Sequence, residues 1–181
     1  MTALLTHVPV IETERLTLRG WDESDFPTIA ALFADEDTMR FLGGVMDAPT
    51  AWRAVATQIG HWAMRGYGFF ALEEKSTGAC IGWCGPWFPH GWPDKEIGWS
   101  LAPEARGKGY ATEAAEASLR FAYTELGWSS AISLIDKNNA ASIAVATRLG
   151  ATCEQANITV TDFSCDLYRH LPVQEFLKRA A

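Results

Sequence analysis

The sequence predicts an α/β fold, with a mixed sheet of about seven strands and helices on both of its faces. Three observations carry this. Segments such as "TERLTLRG" (13–20) alternate aliphatic and polar residues with the period of a strand. Others, such as "DESDFPTIAALFAD" (22–35), open with capping residues and repeat apolar positions at three and four. The later order of strand, helix, strand, helix, strand places helices on the faces of a sheet. A chain of 181 residues, 48% hydrophobic, suits one domain over 1–181, with its core at 11–170.

The first strand rests on Leu16 and Leu18, and the first helix on Phe26, Ile29, Ala30 and Phe33, ending near Asp35. From Thr50 to Met64 a second helix is predicted, with Trp52, Val55, Ala56, Ile59 and Ala63 on its apolar face and Gly66 as its stop. "YGFFALEE" and "ACIGWCGPWF" read as two antiparallel strands joined by the polar loop Lys75 to Gly78. "KEIGWSLAP" is a fourth strand, stopped by Pro103. A long helix follows from Ala111 to Leu126, with Gly127 as a left-handed cap. "SSAISLID" is a fifth strand, Ala140 to Leu149 a shorter helix, and Ala151–Val160 and Phe163–His170 the last two strands.

The formal net charge of -7, with both signs interspersed, argues against direct nucleic-acid binding. No apolar run is long enough for a membrane span and the first 30 residues lack a signal core, so a cytoplasmic location is expected. Cysteines 80, 84, 153 and 165 form no CxxC pair and read as small buried hydrophobes, Cys80 and Cys84 on one strand face. No HExxH or clustered His and carboxylate set suggests a metal, and His61 reads as packing.

Chemistry concentrates in "PEARGKGYATEAAEASLRFAY" (103–123). Gly107 and Gly109 permit backbone conformations and close approaches that a side chain would block. The unpaired N–H groups of the helix that follows, and the positive end of its dipole, face the same concavity. A phosphate belongs there, with Arg106 and Lys108 adding charge at the mouth. A P-loop would need GxxxxGK before Ser or Thr, which is lacking. A dinucleotide fingerprint would need a third glycine where Thr112 stands. An ordinary helix-start turn explains the glycines but not the motifs around them.

Arg106, Gly109 and Ala111 fit the pattern Arg-x-x-Gly-x-Ala, which resembles the acyl-coenzyme A motif of the GCN5-related N-acetyltransferases (GNAT). "TERLTLR", "EIGWSLAPEARGKGYATEA" and "NNAASIAVATRLGA" are similar to the ribosomal-protein-alanine acetyltransferase (RimJ/RimL-like) branch. The resemblance runs from about Ile11 to Tyr168 and is densest from Glu96 to Ala151. It implies acetyl-CoA as co-substrate, its pyrophosphate held by N–H groups from Arg106 through Gly107, Lys108, Gly109 and Tyr110 to Ala111, with Thr112 beside them. It also implies backbone donors around Trp99, Ser100 and Leu101 for the thioester oxygen, and a cofactor contact at Asn139.

The acceptor is then an amine, either a protein N-terminus or a small molecule, attacking directly in a ternary complex. A base is needed, because a lysine amine titrates near ~10.4 and an α-amine near ~7.7 to 8.0. The resemblance implies Glu96, at the start of the fourth strand; Asp94 is the alternative, and a solvated strand-end glutamate the plainer reading. Many relatives carry a tyrosine acid after the fifth strand, but none stands between Tyr123 and Tyr168. Ser142, in the Asn-x-x-Ser form of the branch, is the implied donor to sulfur, although Asn139 and Ser142 also suit a helix cap. The missing tyrosine leaves a non-catalytic acyl-CoA-binding module as the alternative. The aromatic run "WCGPWFPHGWPD" (83–94) suits either a cationic or apolar acceptor or plain core packing. The apolar tail from Leu171 to Leu177 offers a surface for a homodimer.

Overall fold

Alternation fixes the first strands. The computed structural model describes residues 8–161 and 163–179. In it, Leu16 and Leu18 are fully buried on β2 (Leu16–Arg19), as their period-2 spacing predicts. The segment before them also pairs: Thr13 Oγ1 accepts the N–H of Leu16 at 2.9 Å, the chain turns back, and β1 (Ile11–Glu12) lies antiparallel to β2. That turn makes the sheet one strand larger than expected.

A one-turn 3₁₀ segment at Glu23–Asp25, closed by a capping box between Asp22 and Asp25, leads into α1 (Phe26–Ala34). Asp35 then caps a short α2 (Glu36–Met39) that the periodicity did not predict. Helix α3 (Ala48–Arg65) runs from its Asp47 cap to Gly66, whose φ of 77° ends it. Its buried face differs from the expected one. Ala51, Val55, Gln58, His61 and Trp62 point inward, whereas Trp52 and Ile59 are 55% and 49% exposed. The two stripes are one residue out of phase. Two polar tips of the inward one find backbone partners, Trp62 Nε1 donating to Phe69 O at 2.9 Å and His61 Nδ1 bonding Tyr67 O at 2.7 Å.

Strands β3 (Phe70–Glu74) and β4 (Ala79–Trp87) form the predicted hairpin, and β5 (Glu96–Leu101) pairs antiparallel with β4. The β3–β4 register slips between Leu72 and Glu73, a bulge that reverses the alternation of β4. Cys80 and Cys84 therefore pack in different clusters on opposite faces, and Cys153 is exposed, in contrast to the uniform burial expected. Gly82 sits at the bulge with φ of 144°, where a Cβ would come within 2.2 Å of the Ser100 carbonyl oxygen.

A 3₁₀ turn at Pro103–Ala105 precedes α4 (Tyr110–Thr124), whose Ala114, Ala115 and Ala122 are wholly buried, small residues that let the helix lie close on the sheet. Then come β6 (Ile132–Ile135), α5 (Ala140–Arg148), β7 (Thr152–Val160), β8 (Phe163–Arg169) and α6 (Val173–Arg179). The sheet order is β1-β2-β3-β4-β5-β6-β8-β7, and β5–β6 is its one parallel pair among the described residues. α4 and α6 contribute to the core on one face; α1 and α3 cover the other. Part of the C-terminal tail packs within the chain. Phe176 is buried edge-on to Tyr123, and Tyr123 OH donates to Leu171 O at 2.8 Å. Among the described residues no helix is long and apolar enough to cross a membrane.

Candidate active site

The parallel pair opens almost as soon as it forms. Glu96 opposite Ile132 is the only registered contact of β5 with β6. Beyond it side chains replace the ladder: Ser133 Oγ donates to Ile97 O at 2.6 Å, and Leu134 N donates to Glu96 Oε1 at 3.0 Å. Further along, the strands part. Ala102 N bonds Ile81 O on the β4 side, so alternation directs the N–H groups of Trp99 and Leu101 the other way, into the opening. Ser100 presents its side chain to the cavity from the α3 face, and its backbone is registered with Trp83.

At the end of β5 the glycine loop closes the opening. Gly107 and Gly109 have φ of 74° and 86°, both left-handed, and the helix begins at Tyr110. The first intrahelical bond is Glu113 N to Gly109 O at 3.1 Å, so the N–H groups of Tyr110, Ala111 and Thr112 lack helical acceptors. Arg106 N is already bonded to Pro103 O at 3.2 Å, which starts the free amides at Gly107 rather than Arg106. The Arg106 guanidinium turns to Leu101 O at 3.2 Å, to Thr38 Oγ1 and to the Asp35 carboxylate at 3.5 Å, joining the loop to α2. Lys108 contributes its carbonyl, which accepts Arg15 Nη1 at 2.8 Å.

Arg15 carried no distinguishing signal in the sequence, yet it lines the cavity beside the loop. It lies 4.6 Å over the Tyr110 ring and pairs with Glu113 at 2.6 Å. Glu113 also accepts from Thr13 Oγ1 and Arg15 N. Burial works to raise its carboxyl, but these bonds and the arginine charge outweigh burial and leave it below the usual range.

Asn139 N-caps α5, its Oδ1 accepting Ser142 N at 3.1 Å, a contact worth about 1 kcal/mol. The half-buried Ser142 lines the cavity.

Glu96 is the central charge. Only 7% exposed, it accepts one donor on each oxygen, Leu134 N and Trp92 Nε1, the latter at 2.6 Å. Burial pushes its carboxyl up, the two donors pull it back, and it settles at about 7. Asp94, the alternative base, is engaged by Arg169 at 2.5 Å. Burial would raise it, but the Arg169 and Lys95 bonds prevail and hold it low.

The half of the cavity under α1 and α3 is aromatic. Phe69 stacks on Trp87 with centroids 4.7 Å apart, Trp87 on His61 at 4.3 Å, and Phe33 on Trp83 at 5.2 Å. His61 is held by Tyr67 O and Phe88 N, as a packing residue would be. A Cβ on Gly98 would meet the Phe69 ring at 3.0 Å, so glycine there lets the ring lie against β5 beside Glu96. The aromatic run of the sequence thus serves both core and cavity.

These parts share one cavity of about 1790 Å³, larger than the roughly 300–1,000 Å³ that a single drug-sized ligand fills. It runs from the glycine loop through the β5–β6 opening to α5 and, past Glu96, to the aromatic half. A phosphate-bearing acyl carrier fits its donors: free amides and glycines at one end, inward N–H groups in the middle.

A family model described as an acetyltransferase (GNAT) domain matches residues 15–152. The protein YkkB of Bacillus subtilis (strain 168) is 35% identical over 146 residues, covering 76% of this chain and 82% of YkkB. The crystal structure of an acetyltransferase from Agrobacterium tumefaciens str. C58 superimposes with a TM-score of 0.82 at 33% identity, covering 90% of this chain and 94% of that one. A ribosomal-protein-S5-alanine acetyltransferase from Vibrio fischeri shares the fold at 18% identity, TM-score 0.71, covering 91% of this chain and 97% of its own.

Proposed function

Since the chain belongs to the GNAT acetyltransferases and so draws on acetyl-CoA, we propose that it transfers the acetyl group to a primary amine by direct attack in a ternary complex. The observation that carries this is a buried carboxylate of pKa about 7 at the junction of the two halves of one cavity. A base poised near the working pH takes a proton well, and from the aromatic half it faces the incoming amine.

In this reading Glu96 accepts the proton that the amine loses as its nitrogen bonds the acetyl carbon. The N–H groups of Trp99 and Leu101 meet the oxygen on which charge develops, preorganised because β6 has already turned away. The amides from Gly107 to Thr112 hold the pyrophosphate, Asn139 contacts the carrier, and Arg15 and Arg106 brace the loop around them. As the C–S bond breaks, Ser142 Oγ donates a hydrogen bond to the departing sulfur. A thiol of pKa ~8.5 leaves as thiolate without a stronger acid, so the missing tyrosine does not stop the reaction.

For the acceptor, a protein N-terminus follows from the likeness of the motifs to the ribosomal-protein-alanine branch. A base near 7 suits an α-amine of ~7.7 to 8.0 far better than a lysine amine of ~10.4. The stacked aromatic walls support a second reading, a small amine with an apolar body.

Calorimetric titration with acetyl-CoA, desulfo-coenzyme A and NADH, followed by thiol release with Ala- and Ser-initiated peptides and a panel of small amines, tests the proposal. Micromolar binding of acetyl-CoA with turnover of at least one amine is expected. Binding without turnover of any amine would overturn amine transfer.

A further inference from the structure

Trp92 lies in the loop between β4 and β5, far from the glycine motif, and it lines the cavity beside Glu96. Its ring is tilted against Phe163, centroids 6.0 Å apart, and its indole Nε1 donates to Glu96 Oε2 at 2.6 Å. An indole can only donate, so this bond favours the ionised carboxylate and offers nothing to the neutral acid's proton. The other donor to Glu96, Leu134 N, belongs to the backbone of β6 and is the same for every residue but proline. Trp92 is therefore the one side-chain partner of the acid among the described residues.

We propose that Trp92 is a positioning residue for the reaction: its indole N–H orients the Glu96 carboxylate and sets the proton affinity with which Glu96 acts. This rests on the reading of Glu96 as the base.

The titratable groups on the elements around Glu96 leave that task to the indole. From β8, burial pushes the Cys165 thiol up to about 11, with the Glu96 charge adding to it. His170, just past β8, is pushed down to about 4 by burial, and its Nε2 bonds Ser133 at 2.9 Å. From α3, His61 is lowered by burial and held by Tyr67 O and Phe88 N. In the loop, Asp94 is paired with Arg169, and Lys95 Nζ lies 5.4 Å over the Trp128 ring. Asp136, past β6, bonds Asn138 N at 2.7 Å. None of them is a cation paired with Glu96, so its ionised form depends on the two N–H donors.

The test follows the carboxyl carbon of Glu96 by ¹³C NMR against pH in the protein without acetyl-CoA, and the pH profile of kcat/KM with an accepted amine. In Trp92→Phe, which keeps an aromatic ring for Phe163, the Glu96 midpoint should rise by about one pH unit. The acid limb of the rate profile should rise with it, a loss of about five-fold at pH 7 that is regained above pH 9. On a Glu96→Gln background the same change should alter the rate less than about two-fold. The unaltered protein gives a readout that needs no variant: the Trp92 indole N–H resonance should titrate with the Glu96 midpoint. An indole resonance that does not follow Glu96, or a midpoint unmoved in folded Trp92→Phe, overturns the inference. A midpoint that moves while the rate profile stays fixed shows that Trp92 tunes Glu96 but overturns Glu96 as the base, and with it the role of Trp92 in the reaction.

Discussion

Leu134 donates its backbone N–H to the Glu96 carboxylate at 3.0 Å, so a side chain stands where a backbone carbonyl of the neighbouring strand would continue the ladder. The acid proposed as the base therefore belongs to the architecture as well. It takes up the amide that the parting strands leave unpaired and is fixed and buried there; burial raises its pKa, and the amide itself works the other way.

Replacing Glu96 with Gln removes the proposed base and nearly nothing else of the cavity wall. We expect kcat/KM with an accepted amine to fall by about 10²–10³-fold, while the acetyl-CoA dissociation constant stays within about two-fold. Rate in the unaltered protein should climb with pH as Glu96 ionises, with a midpoint near its value of about 7. Steady-state kinetics between pH 5.5 and 9, beside calorimetry, check both, and an unchanged limb in Glu96→Gln would count against the assignment.

Stability should carry the same signature with the opposite sense. The folded chain holds the Glu96 proton to about pH 7, whereas the unfolded chain releases it near an ordinary carboxylate value. The contribution is thus full below about pH 4 and is lost as pH rises through 7, by at most about 3 kcal/mol. Urea melts at pH 5 and pH 8 should show a smaller difference for Glu96→Gln than for the unaltered protein. Equal differences would mean that Glu96 titrates normally.

Gly109 has φ of 86°, and a Cβ there would stand 3.3 Å from Arg15 Nη2. Gly109→Ala should cost about 1–2 kcal/mol in backbone strain and disturb the amides that follow. Calorimetry should find acetyl-CoA bound at least about ten-fold more weakly. Unchanged affinity would place the pyrophosphate elsewhere.

Gly82→Ala acts through the fold. With φ of 144° and a Cβ only 2.2 Å from the Ser100 carbonyl oxygen, the β4–β5 pairing must shift to admit it. A loss of about 3–4 kcal/mol, or about 10 °C in melting temperature, is expected by calorimetric melting. A variant that melts with the parent would mean that the bulge relaxes freely.

What the sequence determined by itself is what depends on local spacing. Leu16 and Leu18 marked a buried strand, Gly66 a helix end and Pro103 a strand stop. Gly107, Gly109 and the residues after them marked a left-handed turn running into a helix start, because capping and φ restriction act over a few residues. The acetyl-CoA family was legible for the same reason, its motif being one continuous stretch. Only the tertiary structure decided the rest. On the buried face of α3, Trp62 and His61 reach carbonyls on the chain that follows, and Cys80 left the face of Cys84 because a bulge slipped the register. Arg15 reached the loop from 93 positions away, as measured to Lys108. Whether Glu96 was a solvated strand end or a buried acid near 7 turned first on burial by its surroundings and then on the two donors that oppose it, Leu134 on the next strand and Trp92 in the preceding loop. Burial and proton affinity are set by everything packed around a group, and linear spacing does not contain that information.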